Sequence, residues 1–317
     1  MAPYARSLVL FAIVLLDALG CSASSGRTGF VEETADNGGV PPLLDGGAFR
    51  TDGAEAALDP GSGGDLFVHD LRVLYRFAPK QRTLTTIGAF DCFGGLLEAT
   101  SDAGMRDIAI DKSGKAFGVA KLGTAVDGSR AAIVRLDTTN AHCEEVFAIP
   151  PNLVDSGGGL EMWGLSFVPG ATDDVLYGIE VAGAFIRIDV NAKTAVRVGG
   201  LNGVAPGAKG PWLTKGADIV SIKGDRTYST AQRDPSGDRL VALDPLTGAV
   251  VQDIGPLDGK LFGGIAYWEG TLYGFSSQGR VYAVDTKTAA VTEIFAAPDG
   301  VLLQGAGVTT IAPTAPR

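Results

Sequence analysis

Three carboxylates stand at one phase of a repeating pattern in this chain: Asp107, Glu161 and Asp218 each lie where a short apolar strand is expected to begin. Arg106, Trp163, Lys215, Phe262 and Gln304 occupy neighbouring or equivalent positions. Two carboxyl groups flanking a glycosidic bond supply the acid and the base or nucleophile of glycoside hydrolysis. Trp163, like Trp212 and Trp268, offers a ring face on which a ligand can stack, or simply packs in the core or at its margin. No glycosidase motif accompanies the bare positions, and Asp residues at strand starts also cap turns.

Other chemistries fare worse. His69 and His142 are the only histidines, which removes multi-histidine metal sites. Asp111-Lys112-Ser113-Gly114, Asp173-Asp174 and Asp234-Pro235-Ser236-Gly237-Asp238 lack the ligand spacing of a calcium loop and read as turns. Gly157-Gly158-Gly159 and Phe93-Gly94-Gly95 lack the Lys-Ser/Thr of a phosphate loop. No cofactor and no metal ion is therefore expected. With a net charge of −10, the chain is also unsuited to the phosphate backbone of nucleic acid.

The N-terminus reads as an address. Arg6 precedes the apolar run Ser7–Leu16, and Ala18-Leu19-Gly20-Cys21 follows. A positive start, a short apolar stretch and a small residue before the cut make a secretory signal, too short to span a bilayer comfortably. The signal resembles that of bacterial lipoproteins, with residues 1–20 removed and Cys21 lipidated. Ala18 stands where Leu is usual and Asp17 is an odd neighbour, so an ordinary cut near Ala23 is the alternative. For Gram-negative lipoproteins, Ser22 after the Cys implies the outer membrane, and the membrane itself is then a partner through the acyl chains. The alternative location is secreted. Residues 21–64 are rich in Gly, Ala and Asp, with two Arg against seven acidic side chains. Such a segment cannot bury enough apolar surface to offset its ordering entropy and reads as a disordered tether.

The remainder, 65–317, is repetitive. Ile133-Val134-Arg135-Leu136-Asp137 recurs as Phe185–Asp189, Leu240–Asp244 and Val281–Asp285, with a degenerate copy at Val73–Phe77. Each Asp can accept backbone N–H bonds in the turn that follows, and Gly248 suits a positive φ. Aromatic-Gly strands such as Leu176-Tyr177-Gly178-Ile179 and Leu272-Tyr273-Gly274-Phe275 precede the phrase. Four short alternating strands per unit, at spacings of 41 to 55 residues, are the makeup of a β-propeller blade. The expected fold is all-β: five four-stranded antiparallel blades, six being the rival. Strand one of the first blade would come from Gly307–Ile311 and close the ring against Leu66–His69. Glycine, 45 of 317 residues, fits so many tight turns.

The phrase resembles the degenerate repeats of PQQ-type and YVTN-type bacterial propellers, which implies the fold and little about function. The long connections 89–105, 150–161, 199–215 and 231–238 share one face, so a site is expected there. Arg106, Asp107, Glu161, Trp163, Lys215, Asp218, Phe262 and Gln304 should ring its channel mouth. Cys92 and Cys143, an even pair in an exported domain, are candidates for a disulfide between adjacent blades. The leading expectation is a non-catalytic, lipid-anchored envelope propeller that binds a protein, peptide or glycan. The alternatives are a carbohydrate-active enzyme using Asp107, Glu161 and Asp218, and an envelope scaffold protein with no small ligand.

Overall fold

The computed structural model describes residues 66–93, 103–122, 130–153, 162–204, 210–212, 218–233 and 237–316. The signal, the tether with Cys21, and the site candidates Glu161 and Lys215 lie outside these.

Among the described residues, twenty strands form five four-stranded antiparallel sheets. Blade 2 runs β4 (Gly104–Ile110), β5 (Ala116–Leu122), β6 (Arg130–Leu136), β7 (Cys143–Ala148). Blade 3 runs β8 (Met162–Val168), β9 (Val175–Glu180), β10 (Ala184–Asp189), β11 (Thr194–Gly200), and blade 4 β12 (Ile219–Ser221), β13 (Thr227–Gln232), β14 (Asp238–Leu243), β15 (Val250–Pro256). Blade 5 is β16 (Gly264–Trp268), β17 (Thr271–Phe275), β18 (Arg280–Val284) and β19 (Val291–Ala296). Blade 1 is composite: β1 (Leu66–His69), β2 (Val73–Ala78) and β3 (Thr83–Ala89) are completed on the inside by β20 (Gly305–Gly307). Head and tail of the chain thus share one sheet, and the ring closes without an open inner edge. Five blades account for all twenty strands.

Strand alternation explains the core. Successive side chains of a strand point to opposite faces, so each blade serves two neighbours. From β1, Phe67 packs with Met105 and Ile108 of blade 2, whereas Leu66 and Val68 pack with Phe262, Ile265 and Phe275 of blade 5. Aromatic pairs stitch blade to blade: Phe77 with Phe275 at 5.8 Å, Phe117 with Phe167 at 6.0 Å, Tyr228 with Tyr267 at 6.2 Å. The repeated Asp does its turn work. Asp189 Oδ1 accepts the N–H groups of Asn191 and Ala192, Asp244 Oδ1 those of Leu246 and Thr247, and Asp285 Oδ1 those of Lys287 and Thr288. The residue that closes this turn goes left-handed; Gly248 does so in blade 4 (φ 71°), and Ala141 and Ala289 do so in blades 2 and 5.

The closing strand is displaced from its expected register. Gly305-Ala306-Gly307 pairs with Phe67–His69, while Val308–Ile311 leaves the sheet. That segment instead crosses the end of the axis on the short-turn side, here called the lower face. Thr309 bridges Ile110 and donates to the Asp111 carbonyl at 3.0 Å in blade 2. The Thr310 hydroxyl reaches Asp174 of blade 3, and its carbonyl accepts the Lys223 N–H of blade 4 at 2.8 Å. Val308, Thr310 and Ala312 are buried. An alternating apolar stretch that looks like a strand is thus a strap under the ring.

Candidate functional site

The inner strands β20, β4, β8, β12 and β16 line the axis, and their register places five residues at one level. Asp107 faces Val119, Gly164 faces Ile179, Gly264 faces Phe275 and Gly305 faces His69; Asp218 takes the same place just ahead of β12. Around the ring the order is Gly305, Asp107, Gly164, Asp218, Gly264. At Gly305 and Gly264 the axis is too crowded for a side chain. A Cβ on Gly305 would collide with His69 Nε2 and stand 2.9 Å from Asp107 Oδ1, and one on Gly264 would meet the Gly305 carbonyl carbon at 2.6 Å.

Both Asp side chains are wholly buried and hydrogen-bond to each other. Each also satisfies backbone donors of the adjoining blades. Asp107 Oδ2 accepts the Leu165 N–H of blade 3 at 2.5 Å, and Oδ1 accepts the Ala306 N–H of blade 1 at 3.3 Å. Asp218 Oδ2 accepts the Ile265 N–H of blade 5, and Oδ1 that of Ile219 beside it. One carboxyl pair therefore touches all five blades. Inner edges of propeller blades present N–H groups that no neighbouring strand pairs, and buried donors must be satisfied. Here two carboxyls do so.

Electrostatics follow from the burial. Desolvation first, then the Asp218 charge, holds the Asp107 carboxyl well above its ordinary range. Desolvation lifts Asp218 to about 7, against the opposing pull of its bonds to Asp107, Ile265 and Ile219. Two carboxylates this close cannot both ionise in a dry site, so the pair keeps a proton at neutral pH. His69, also fully buried, is driven down to about 4 by desolvation and is neutral. Its Nδ1–H donates to the Asp70 carbonyl at 2.7 Å, which leaves Nε2 as a bare acceptor 4.0 Å from Asp107 Oδ1.

One step nearer the upper, long-loop face stand Arg106, Trp163, Gly263 and Gln304. Arg106 and Trp163 are extra residues where β4 and β8 bulge against their partners, and a bulge re-aims a side chain. The Arg106 guanidinium lies 5.2 Å from the Trp163 ring centroid, a cation–π contact. Trp163 Nε1 and Gln304 Oε1 are buried and have no hydrogen-bond partner among the described residues. Phe262, expected at the mouth, is not there. It is buried over Gly274, 5.5 Å from the Tyr282 ring, in the place that Met105 and Met162 fill over Gly118 and Gly178. The mouth position of blade 5 belongs to Gly263, one residue on.

Sequence reasoning thus finds two groups that meet, the Asp pair and the Arg106–Trp163 pair, while missing His69 and the glycines. It also placed nothing on the lower face. A groove of about 560 Å³ lies there between blades 3 and 4, lined by Val168, Pro169, Lys223, Arg226, Pro245 and Val251 among others. No group of three or more potential metal ligands forms among the described residues. The sulfurs of Cys92 and Cys143 are bonded at 2.00 Å, tying the chain after β3 to the outer strand of blade 2. Beside them Asp91 accepts the Cys143 N–H at 2.9 Å and contacts the exposed His142 ring at 2.6 Å.

Fold and axis define a five-bladed β-propeller. No protein-family model matches the chain, and neither does any curated protein. Solved structures similar to it include a protein of unknown function from Bacteroides thetaiotaomicron, with 12% identity over 73% of this chain and 60% of that one, TM-score 0.43. A Phanerochaete chrysosporium exo-β-1,3-galactanase with β-1,3-galactotriose is 11% identical over 72% and 56%, TM-score 0.47. A putative oxidoreductase (glucose dehydrogenase) from Thermus thermophilus is 14% identical over 74% and 82%, TM-score 0.44. The chain spans less than two thirds of the first two. The likeness is one of fold alone.

Proposed function

We propose that this propeller is a non-catalytic binding module, held at the cell envelope by a lipid on Cys21, that takes a protein, peptide or glycan at its upper face. The observation that carries the reading is how the axial carboxyls are used. Asp107 and Asp218 bond to each other and to backbone donors of the adjoining blades, away from solvent. Glycoside hydrolysis needs two carboxyl groups about 5 to 10 Å apart with the sugar between them. Asp107 and Asp218, in mutual contact, leave no such gap, which weighs against these two as the acid and base of the carbohydrate-active alternative.

The strap takes up the lower end of the axis, so the reading places the ligand at the opposite, upper face. There the partly exposed Trp163 ring, with Arg106 upon it, is the aromatic surface, and the buried Trp163 Nε1 and Gln304 Oε1 are polar atoms without a hydrogen-bond partner among the described residues. Such a combination, a flat ring with a few convergent polar groups, is what ligand sites present. The test is a binding screen of glycan and peptide arrays with the wild type and with Trp163→Ala. A ligand whose affinity falls at least about tenfold in the variant, at an unchanged melting temperature, supports the reading. Turnover of a glycoside that is abolished by Glu161→Gln or Asp107→Asn overturns it, and so does a ligand indifferent to Trp163.

A further inference from the structure

The five outer edges are not alike. In every blade a β-bulge interrupts the pairing of the third and fourth strands at the same step. Beyond it Tyr75, Val134, Ile186, Val241 and Tyr282 face Thr86, Glu145, Arg197, Asp253 and Glu293 respectively. Blades 2 to 5 therefore carry a charge at this place on the outer strand, and blade 1 carries Thr86. Three of the charges are held by an arginine: Glu145 by Arg130 through bonds of 2.5 and 2.8 Å, Asp253 by Arg239 at 2.9 Å, Glu293 by Arg280 at 2.9 Å. Where blades 4 and 5 have Arg239 and Arg280, blade 1 has Val73. The whole of β3, Thr83-Leu84-Thr85-Thr86-Ile87-Gly88-Ala89, has no charge and no proline, and Thr83, Thr85, Thr86 and Ala89 are exposed.

An outer strand presents unpaired N–H and C=O groups, a template for another strand. A hydrated charge on it deters pairing, because docking would strip its water. We propose that the outer edge of blade 1 is a self-association surface, where β3 of one copy pairs antiparallel with β3 of a second copy in a two-fold dimer. The charge pattern favours a second copy over a foreign strand. About a two-fold axis an edge meets itself, so Glu144 and Glu145, Arg197, Asp253 or Glu293 would each face their own sign across blades 2 to 5, which destabilises a strand pair. A foreign strand brings charges of its own and needs no neutral edge. On blade 1 threonine meets threonine, a favourable cross-strand pair. The Cys92–Cys143 bond and the Asp91–Cys143 hydrogen bond fasten the chain that leaves β3 to blade 2, so little ordering remains to be done on docking.

Sedimentation velocity of the purified protein across a concentration series tests this, with Thr86→Lys as the edge variant and Thr292→Lys on the outer strand of blade 5 as control. The wild type and Thr292→Lys are expected to dimerise reversibly with the same dissociation constant. Thr86→Lys is expected to raise that constant at least about tenfold. Hydrogen exchange of the wild type provides a second readout that needs no variant: the amides of Thr83–Ala89 should exchange more slowly in concentrated than in dilute samples. A wild type that stays monomeric throughout, a dimer indifferent to Thr86→Lys, exchange in β3 that does not change with concentration, or a foreign peptide occupying β3 would each overturn the proposal.

Discussion

Carboxylates at the hub and carboxylates at the rim of this propeller make the same kind of bond with opposite electrostatic outcome. At the rim, Asp244 accepts N–H bonds from Leu246 and Thr247 in a solvent-facing turn, and those bonds pull its carboxyl below the ordinary range. Asp285 behaves alike with Lys287 and Thr288. At the hub, Asp107 accepts N–H bonds from Leu165 and Ala306, yet its carboxyl is pushed up. The difference is water. Solvation keeps the rim charge cheap, so donors decide; burial makes the hub charge costly, so a shared proton decides. A carboxylate is thus a turn fastener at the edge of the ring and a hub pin at its centre.

The largest effect should come from emptying the hub. Asp107→Ala leaves the Leu165 and Ala306 donors and the Asp218 carboxyl without their partner in a dry site, a loss of about 3–5 kcal/mol in urea unfolding. A loss below about 1 kcal/mol would mean that water takes over the bonds, and the hub pin would be unnecessary. Gly305→Ala comes next. Its methyl group must displace His69 or Asp107, at about 1–3 kcal/mol, and the midpoint of thermal unfolding should drop accordingly. Asp244→Ala should cost least, about 1 kcal/mol or less, since its turn is open to solvent. That cost has a sign in pH. The carboxyl is lowered in the folded state, so its contribution is present above the ordinary value of 3.8 and fades as pH falls through the folded value. Equal penalties at about pH 7 and about pH 2.5 would contradict the rim assignment.

Much of the ring was legible because its repeat is written in side chains. The apolar-Asp phrase, the turn carboxylates and the blade count follow from period-2 alternation and turn chemistry. That a C-terminal strand closes the ring was legible too; its register was not, because crowding at the axis makes it Gly-Ala-Gly, three residues with almost no side chain to read. Val308–Ile311 alternates like a strand while serving as the lower strap. The mouth was misread by one residue in blade 5. Bulges in β4 and β8 bring Arg106 and Trp163 to the mouth, and the residue in step with them is Gly263, not Phe262. Asp107 and Asp218 meet across the axis from two blades far apart in the chain, so no local pattern encodes their contact.

The most direct measurement is the pH dependence of global stability for the wild type beside Asp107→Asn, which keeps the shape of the hub and removes its shared proton. Both hub carboxyls are raised in the folded state, so folding retains protons that the unfolded chain releases above about pH 4. Wild-type stability should therefore fall as pH climbs from about 5 through 7 and beyond, while the Asn variant declines less steeply over the same interval. Parallel profiles for the two proteins would contradict the account, because they would mean that no proton is held between the blades.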